Sequence, residues 1–157
     1  MIRVVMPIAV TYPEAIKALV KWVAPAELVN VTGDDYAYWD LFLRLWREGK
    51  PFIIVEHDIV IRPDTVSDLA NCGASWCAYT YHEEIGEPVT GMGCTKFEPR
   101  GRALHTEDLF HDTIWQNVDT TVAGLLTDLG WKVHEHGPWL RHLNPRVAAM
   151  QESRNPE

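Results

Sequence analysis

The chain has 157 residues and a formal net charge of −8, with 46% hydrophobic and 23% charged residues. These values are typical of one globular domain with a substantial core. The acidic balance argues against a nucleic-acid backbone as the main partner, because such binding depends on Lys and Arg neutralising many phosphates. It is compatible with a single nucleotide diphosphate, whose charge one metal ion can neutralise locally. Apolar runs are short and the N-terminus lacks a signal-peptide layout, so we expect no membrane span and a cytoplasmic protein.

Two residue types are informative by their number. Cys72, Cys77 and Cys94 form an odd set without a recurring zinc spacing, and we interpret them as reduced thiols, with a Cys/His zinc site as the less favoured alternative. Seven tryptophans are many for this length. Exposed tryptophans favour protein contacts because they join an apolar body to a polar edge. A homodimer is therefore one expectation for this chain.

The first half of the chain alternates strand and helix patterns. Strands are predicted over 3–10, 27–32, 52–55 and 75–81, and helices over 15–23, 36–48 and 64–71. Alternation with short connections predicts a parallel sheet with right-handed crossovers. The expected fold class is therefore α/β, a small Rossmann-like domain in which helices flank a mostly parallel sheet.

The pattern changes after residue 81. Residues 82–102 are rich in Gly, Pro and charge, with room for one short strand within 91–97, and a long stretch with little regular structure is more often functional than connecting. Residues 107–114 are weakly helical or looped, 115–129 predict a helix, and 131–136 predict a last strand. Residues 137–139 predict a turn toward His142. No linker divides the chain, so we expect one domain over 1–144 and a tail over 145–157.

The segment from Pro51 to Pro63 carries the strongest functional signal. Its apolar run 52–55 has no polar face, which is typical of a strand covered on both sides, and it stops at Glu56-His57-Asp58. In open α/β sheets, ligands bind beyond the carboxyl ends of such strands. Carboxylates at that position suit a hard divalent cation, which in turn suits a phosphate-bearing substrate.

Other polar groups also follow predicted strands. Thr11 and Tyr12 follow the first strand, and the pair Asp34-Asp35 follows the second. Because loops after parallel strands open on one edge of the sheet, we expect these groups to converge with Glu56-His57-Asp58 whatever the function. A histidine group closes the chain: His134, His136 and His142.

This arrangement resembles the GT-A fold glycosyltransferases, which use nucleotide-activated sugars. The resemblance covers about residues 3–144 and rests on four segments. Val55-Glu56-His57-Asp58 is similar to their acidic metal motif, usually Asp-X-Asp, and Pro63 with the helix to Leu69 follows it as in that family. The third segment, Gly91-Met92-Gly93-Cys94 with Lys96-Phe97, is similar to the strand beneath the sugar donor. The fourth is similar to the acceptor-side helix and the strand after it, and it comprises Trp115 to Asp119, Gly124-Leu125-Leu126 and Gly130 to Val133.

The resemblance implies a metal and a donor. It implies Mn²⁺ or Mg²⁺ held by Asp58, with His136 or His142 as a further ligand, and a UDP- or GDP-sugar as substrate. Asp34 or Asp35 would meet the nucleotide base, although a helix cap is an equally good reading for one of them. The implied nucleotide-sugar-binding residues are Pro7, Ala9, Thr11, Asp34, Asp35, Glu56, His57 and Gly93.

Inverting transfer also needs a carboxylate that takes the proton from the acceptor hydroxyl. Asp119 is the candidate base. The sequence departs from the family just upstream, where the usual Glu-Asp pair reads Gln116-Asn117. Either Asp119 takes the role or the chain is catalytically weak or inactive, and Asp108 and Asp112 are rival acids.

We therefore expect a metal-dependent, inverting glycosyltransferase that transfers a sugar to an acceptor hydroxyl of unknown identity, on a sugar, a protein or another molecule. The chain is near the minimum size for the fold, so acceptor recognition would be sparse or shared with a partner chain. One alternative is an inactive sugar-nucleotide-binding relative, which Gln116-Asn117 would explain. Another is a metal-dependent nucleotidyltransferase or phosphohydrolase. A glycine-rich phosphate loop would favour the latter, but Thr11-Tyr12-Pro13 follows the first strand instead.

Overall fold

The computed structural model describes residues 2–81, 90–99 and 117–143. These ranges hold seven strands and four helices in an α/β arrangement. In chain order they are β1 (Arg3–Ile8), α1 (Pro13–Trp22), β2 (Glu27–Asn30), α2 (Ala37–Arg47), β3 (Phe52–Val55), β4 (Ile59–Val60), α3 (Thr65–Asn71), β5 (Trp76–Tyr81), β6 (Cys94–Phe97), α4 (Val118–Asp128) and β7 (His134–His142). The predicted segment 107–114, its acids Asp108 and Asp112, and the tail 145–157 lie outside the described residues.

The seven strands form one sheet in the order β2-β1-β3-β6-β5-β7-β4. β1 pairs in parallel with β2 and β3, and β5 pairs in parallel with β7. β6 is antiparallel to both β3 and β5, and β4 is antiparallel to β7. The expectation of a mostly parallel sheet is therefore wrong, because the sheet is mixed. β6 begins at the edge of the sheet where β5 ends. It therefore runs in the direction opposite to both of its neighbours, β3 and β5.

β7 is longer than the predicted strand over 131–136 and has no turn at 137–139. It pairs first with β5, then shifts register: Tyr79 lies opposite His136, whereas Tyr81 lies opposite Leu140. The irregularity absorbs Gly137 and Pro138, which fits the rule that proline is tolerated in a sheet at bulges. β7 then continues along β4, where Ile59 lies opposite His142.

Both faces of the sheet are covered by helices. Alternate strand residues such as Phe52, Ile54 and Phe97 form one core cluster with the apolar faces of α2 and α4. The intervening positions, among them Ile53 and Val55, form a second cluster with α1 and α3. All four residues of β3 are buried as a result. The prediction of a doubly covered strand from its uninterrupted apolar run is confirmed.

The cysteines differ from their interpretation as three reduced thiols. Cys72 and Cys77 form a disulfide, whereas Cys94 is a buried free thiol. α3 ends at Asn71 and β5 begins at Trp76, so the short connection between them brings the two side chains together. The sequence spacing alone did not indicate this pairing.

Four helices lie within the described ranges. None of the helices there combines the length and the apolar character that a membrane span requires.

Candidate functional site

The turn between β3 and β4 holds Glu56, His57 and Asp58. Its backbone is fixed from two sides, because Ile59 N donates to Glu56 O at 3.1 Å and Glu56 N donates to Gly93 O at 2.8 Å. The second bond joins the turn to the residues that lead into β6. The acidic segment therefore lies just beyond the carboxyl end of a buried strand.

Asp58 is held by the last strand. Its Oδ2 lies 2.9 Å from Nε2 of His142, and its carbonyl oxygen accepts a hydrogen bond from Leu143 N at 2.7 Å. Burial opposes ionisation of Asp58, but the hydrogen bond and charge of His142, helped by His57, outweigh it and lower the pKa of this carboxyl. Asp58 Oδ1 is buried and has no hydrogen-bond partner within the described ranges.

Glu56 lies deeper in the same turn. Tyr38 of α2 donates its hydroxyl to Glu56 Oε1 at 2.9 Å. Burial, followed by the negative charge of Asp58, raises the pKa of Glu56 to about 7, although the Tyr38 hydrogen bond opposes the shift. The side chain is half-buried, so solvent moderates these effects. Tyr38 was not among the predicted site residues. The signal for it was its position on the apolar face of α2, since a buried tyrosine hydroxyl needs a partner.

His57 connects the turn to β1. Its ring stacks on Tyr12 with the ring centroids 5.5 Å apart. Burial lowers the pKa of His57, opposed by the charge of Asp58 and by a hydrogen bond to the Pro7 backbone. Pro7, one of the residues predicted to bind the nucleotide sugar, therefore contacts the acidic turn. Ala9 packs against the core and Thr11 is exposed beyond the strand.

Asp119 approaches the same edge from the first turn of α4. Its Oδ1 accepts a hydrogen bond from Thr120 N at 2.7 Å, and its negative charge contributes to the raised pKa of Glu56. A Cβ placed on Gly91 would contact the Tyr81 hydroxyl and lie 3.7 Å from Asp119 Oδ2. Gly91 thus lies close to both Tyr81 and Asp119. Tyr81 is a second residue of this region that the sequence pattern did not indicate.

Gly93 leaves room for the side chains of Tyr81 and Ile59. A Cβ at this position would lie 2.7 Å from Cε1 of Tyr81 and 3.0 Å from Cδ1 of Ile59. Any larger residue would therefore displace one of two buried side chains. The role of Gly93 in binding the sugar donor stays a prediction, but its carbonyl oxygen has a structural role, because it accepts the hydrogen bond from Glu56 N.

The remaining predicted residues lie apart from these contacts. Asp34 and Asp35 are exposed in the turn before α2, where Asp34 Oδ1 accepts a hydrogen bond from Tyr36 N at 2.9 Å. Asp34 thus stabilises the turn, in agreement with the capping alternative. His136 does not join Asp58 and His142. It lies in a different cluster, with ligand atoms of Cys72, Cys77 and His136 all within 4.8 Å of one another.

The carboxylate of Asp58 fits a hard divalent cation. Its Oδ1 is an unpaired buried oxygen and Oδ2 is oriented by His142. Within the described part of the chain, the Cys72 cluster is the one group of three or more such side chains with converging ligand atoms. A cation at Asp58 would therefore have few protein ligands. Mg²⁺ and Mn²⁺ sites that also bind substrate phosphates and water commonly have only one or two carboxylates.

Comparison with known proteins supports the fold. No protein-family model matches the sequence, and none of the curated proteins matches it. Among solved structures, A197 from STIV aligns with a TM-score of 0.54 and 15% identity over 87% of this chain and 82% of that one. A glycosyltransferase involved in the glycosylation of the major capsid of PBCV-1 aligns with a TM-score of 0.54 and 10% identity, covering 97% of this chain and 98% of that one. The chain thus has a glycosyltransferase-like fold.

The raised pKa of Glu56 predicts a pH-dependent stability. Between its ordinary value and about 7, the folded state binds this proton more tightly than the unfolded state does. Stability should therefore fall as the pH rises through that window, by on the order of 2 kcal/mol. Glu56→Gln should remove this slope in urea unfolding at pH 5 and pH 8 with a chelator present. Asp34→Asn, in an exposed turn, is the matched control, and an unchanged slope in Glu56→Gln would contradict the assignment.

Proposed function

We propose that this protein is a metal-dependent glycosyltransferase of the GT-A type that uses a UDP- or GDP-sugar. One observation carries the proposal. The Asp58 carboxylate lies at the carboxyl end of the central strand, with Oδ2 held by His142 and Oδ1 left without a hydrogen-bond partner among the residues described. The glycosyltransferase-like sheet supports it, because ligands of such sheets bind at this edge.

Asp58 and His142 would hold the metal, with Oδ1 as the available carboxylate oxygen. When bound, Mn²⁺ or Mg²⁺ supplies Lewis-acid stabilisation of the charge that gathers on the departing diphosphate. Glu56 lies in the same turn, where its Oε1 accepts a hydrogen bond from the Tyr38 hydroxyl.

The donor nucleoside would bind near the end of β1. Pro7 contacts His57 through its backbone, and the ring of His57 is stacked on Tyr12. Pro7, Ala9 and Thr11 would line this part of the site, with the exposed carboxylates of Asp34 and Asp35 available to the base. These contacts are expectations from the position of the residues along the sheet edge.

Asp119 would serve as the base. The acceptor oxygen would attack the anomeric carbon as the bond from that carbon to the diphosphate breaks, and the hydroxyl proton would pass to Asp119. This direct displacement inverts the anomeric centre. The position of Asp119 in the first turn of α4 supports the role, because its charge acts on Glu56 in the same turn as Asp58.

A catalytically inactive sugar-nucleotide-binding protein is the second candidate. The amide pair Gln116-Asn117 favours it, because neither residue can accept the acceptor proton. This candidate predicts the same donor binding without turnover. A sensitive assay for slow hydrolysis of the bound nucleotide sugar separates the two.

Thermal unfolding with UDP, GDP and their sugars tests the proposal. With Mn²⁺ and a ligand at 100 times its Kd, the melting temperature should rise by about 5–10 °C through binding linkage. A chelator should remove most of the rise. If no nucleotide or nucleotide sugar raises the melting temperature with metal present, both candidate functions are wrong.

A further inference from the structure

A second side-chain cluster lies where the end of α3 meets the first halves of β5 and β7. Cys72 caps the carboxyl end of α3, Cys77 is the second residue of β5, and His136 is the third residue of β7. Pairing of β5 with β7 places Cys77 opposite His134 and Tyr79 opposite His136. The end of α3 and the strands β5 and β7 therefore bring two sulfur atoms and one imidazole ring close together.

The ligand atoms of this cluster converge. One atom from each of Cys72, Cys77 and His136 lies within 4.8 Å of the other two. Tetrahedral zinc with Zn–S bonds of about 2.3 Å and Zn–N bonds of about 2.0 Å needs ligand atoms roughly 3.5–3.8 Å apart. Small side-chain movements are enough to reach that geometry once the two sulfurs are not bonded to each other.

His136 gives independent evidence for a ligand. Its Nε2 is buried and has no hydrogen-bond partner among residues 2–81, 90–99 and 117–143. Buried polar atoms are nearly always paired, so an unpaired one beside two cysteines needs an explanation. The ring is held in place by contacts with Tyr79 and His134, whose ring centroids lie 5.3 Å and 4.9 Å away.

The charges beside the cluster are balanced. Lys96 is fully buried, donates to the Cys72 carbonyl oxygen and pairs with Glu98 at 3.0 Å, so this ammonium group is already neutralised by a carboxylate. Two thiolates also neutralise a divalent zinc ion, so the metal adds no net charge to this buried region. Sulfur and imidazole ligands select Zn²⁺ over the Mg²⁺ or Mn²⁺ expected at Asp58.

We infer that the reduced protein binds one Zn²⁺ through Cys72, Cys77 and His136, with water at the fourth position. The disulfide form is the metal-free state of the same site. Reduction by a thiol or phosphine transfers two electrons and, with two protons, converts the disulfide into two thiols. Zinc then displaces both thiol protons and binds the two thiolates. The cluster thus exchanges a covalent bond for a metal ion according to the redox state.

Metal titration of the full-length protein tests this inference. The chain is reduced anaerobically with a phosphine, which is oxidised to its oxide and then removed, and is titrated with Zn²⁺ against a chromophoric chelator. Replacement by Co²⁺ should give a thiolate-to-cobalt charge-transfer band. We expect the reduced protein to bind one more Zn²⁺ per chain than the disulfide form, and the thiolate-to-cobalt band to appear only after reduction.

Variants locate the site. Cys72→Ser, Cys77→Ser and His136→Ala should each weaken zinc binding at least tenfold, whereas Cys94→Ala, which removes the buried thiol outside the cluster, should bind like the parent. Asp58→Asn should also retain zinc, which separates this site from the proposed transferase site. Circular dichroism of the metal-free variants checks their fold, and the cobalt spectrum of the parent reports thiolate ligands even if a variant fails to fold. Absence of zinc binding after reduction, or unchanged affinity in His136→Ala, would overturn the inference.

Discussion

Replacing Asp58 with Asn should remove the Mn²⁺-dependent rise in melting temperature with a nucleotide sugar and should lower turnover about a thousandfold or more. Asparagine keeps the shape of the side chain and one hydrogen-bonding oxygen, but it loses the negative charge that binds a divalent cation. The Oδ1 atom of Asp58 is the buried oxygen that lacks a hydrogen-bond partner in the described ranges, so the loss should be in metal binding itself. Calorimetric titration with Mn²⁺ and a donor hydrolysis assay measure the two effects.

Asp128→Asn is the matched control for this experiment. Asp128 is an exposed residue at the end of α4, and the substitution removes the same charge without touching the site. The control should behave like the parent protein in both assays. Unchanged Mn²⁺ affinity in Asp58→Asn would exclude Asp58 as the metal ligand and remove the main support for the proposed function.

Replacing Asp119 with Asn should lower the rate of sugar transfer by about 10²–10⁴-fold, the usual contribution of a general base. Donor affinity should stay within a few-fold of the parent, because Asp119 is expected to act on the acceptor rather than on the nucleotide. The hydrogen bond from Thr120 N can be kept by the Asn oxygen, so the start of α4 should keep its shape. Thermal shift with the donor and a product-forming assay separate binding from chemistry.

Glu56 is the rival base for this step. Its pKa is raised to about 7 by burial and by Asp58, which suits proton transfer near neutral pH. If Glu56→Gln abolishes turnover while Asp119→Asn keeps it, the base is Glu56 and the role of Asp119 is refuted. The pH profile of the parent gives a second measure, since a base with a pKa near 7 would make the rate rise steeply around neutrality.

The sequence was informative where one physical effect dominated. The apolar run 52–55 could only be a covered strand, and its abrupt change to Glu56-His57-Asp58 located the end of that strand correctly. The direction of β6 could not be predicted, because the residues of a buried strand look the same whichever way the strand runs. The mixed sheet arises because β6 runs antiparallel to both β3 and β5.

The site was partly predictable for the same reason. The change from an apolar run to carboxylates pointed to Asp58, and the family resemblance implied His142 or His136 as its partner; the structure places His142 in contact with Asp58. That contact depends on β7 passing through Gly137 and Pro138, residues whose local preference is for a turn. Tertiary pairing with β5 and β4 outweighs that preference. The partnership of Tyr38 with Glu56 and the cluster around Cys72 depend on long-range packing that residue spacing does not reveal.

The contact between β4 and β7 also determines when, during folding, Asp58 and His142 come together. Asp58 and His142 are 84 residues apart in the chain, and closing so long a loop carries an entropic cost that only a largely assembled sheet can offset. A nascent chain with its first strands in place would therefore expose the carboxylate without its imidazole. If Asp58 binds a metal as proposed, its metal affinity would report whether the whole sheet has been completed.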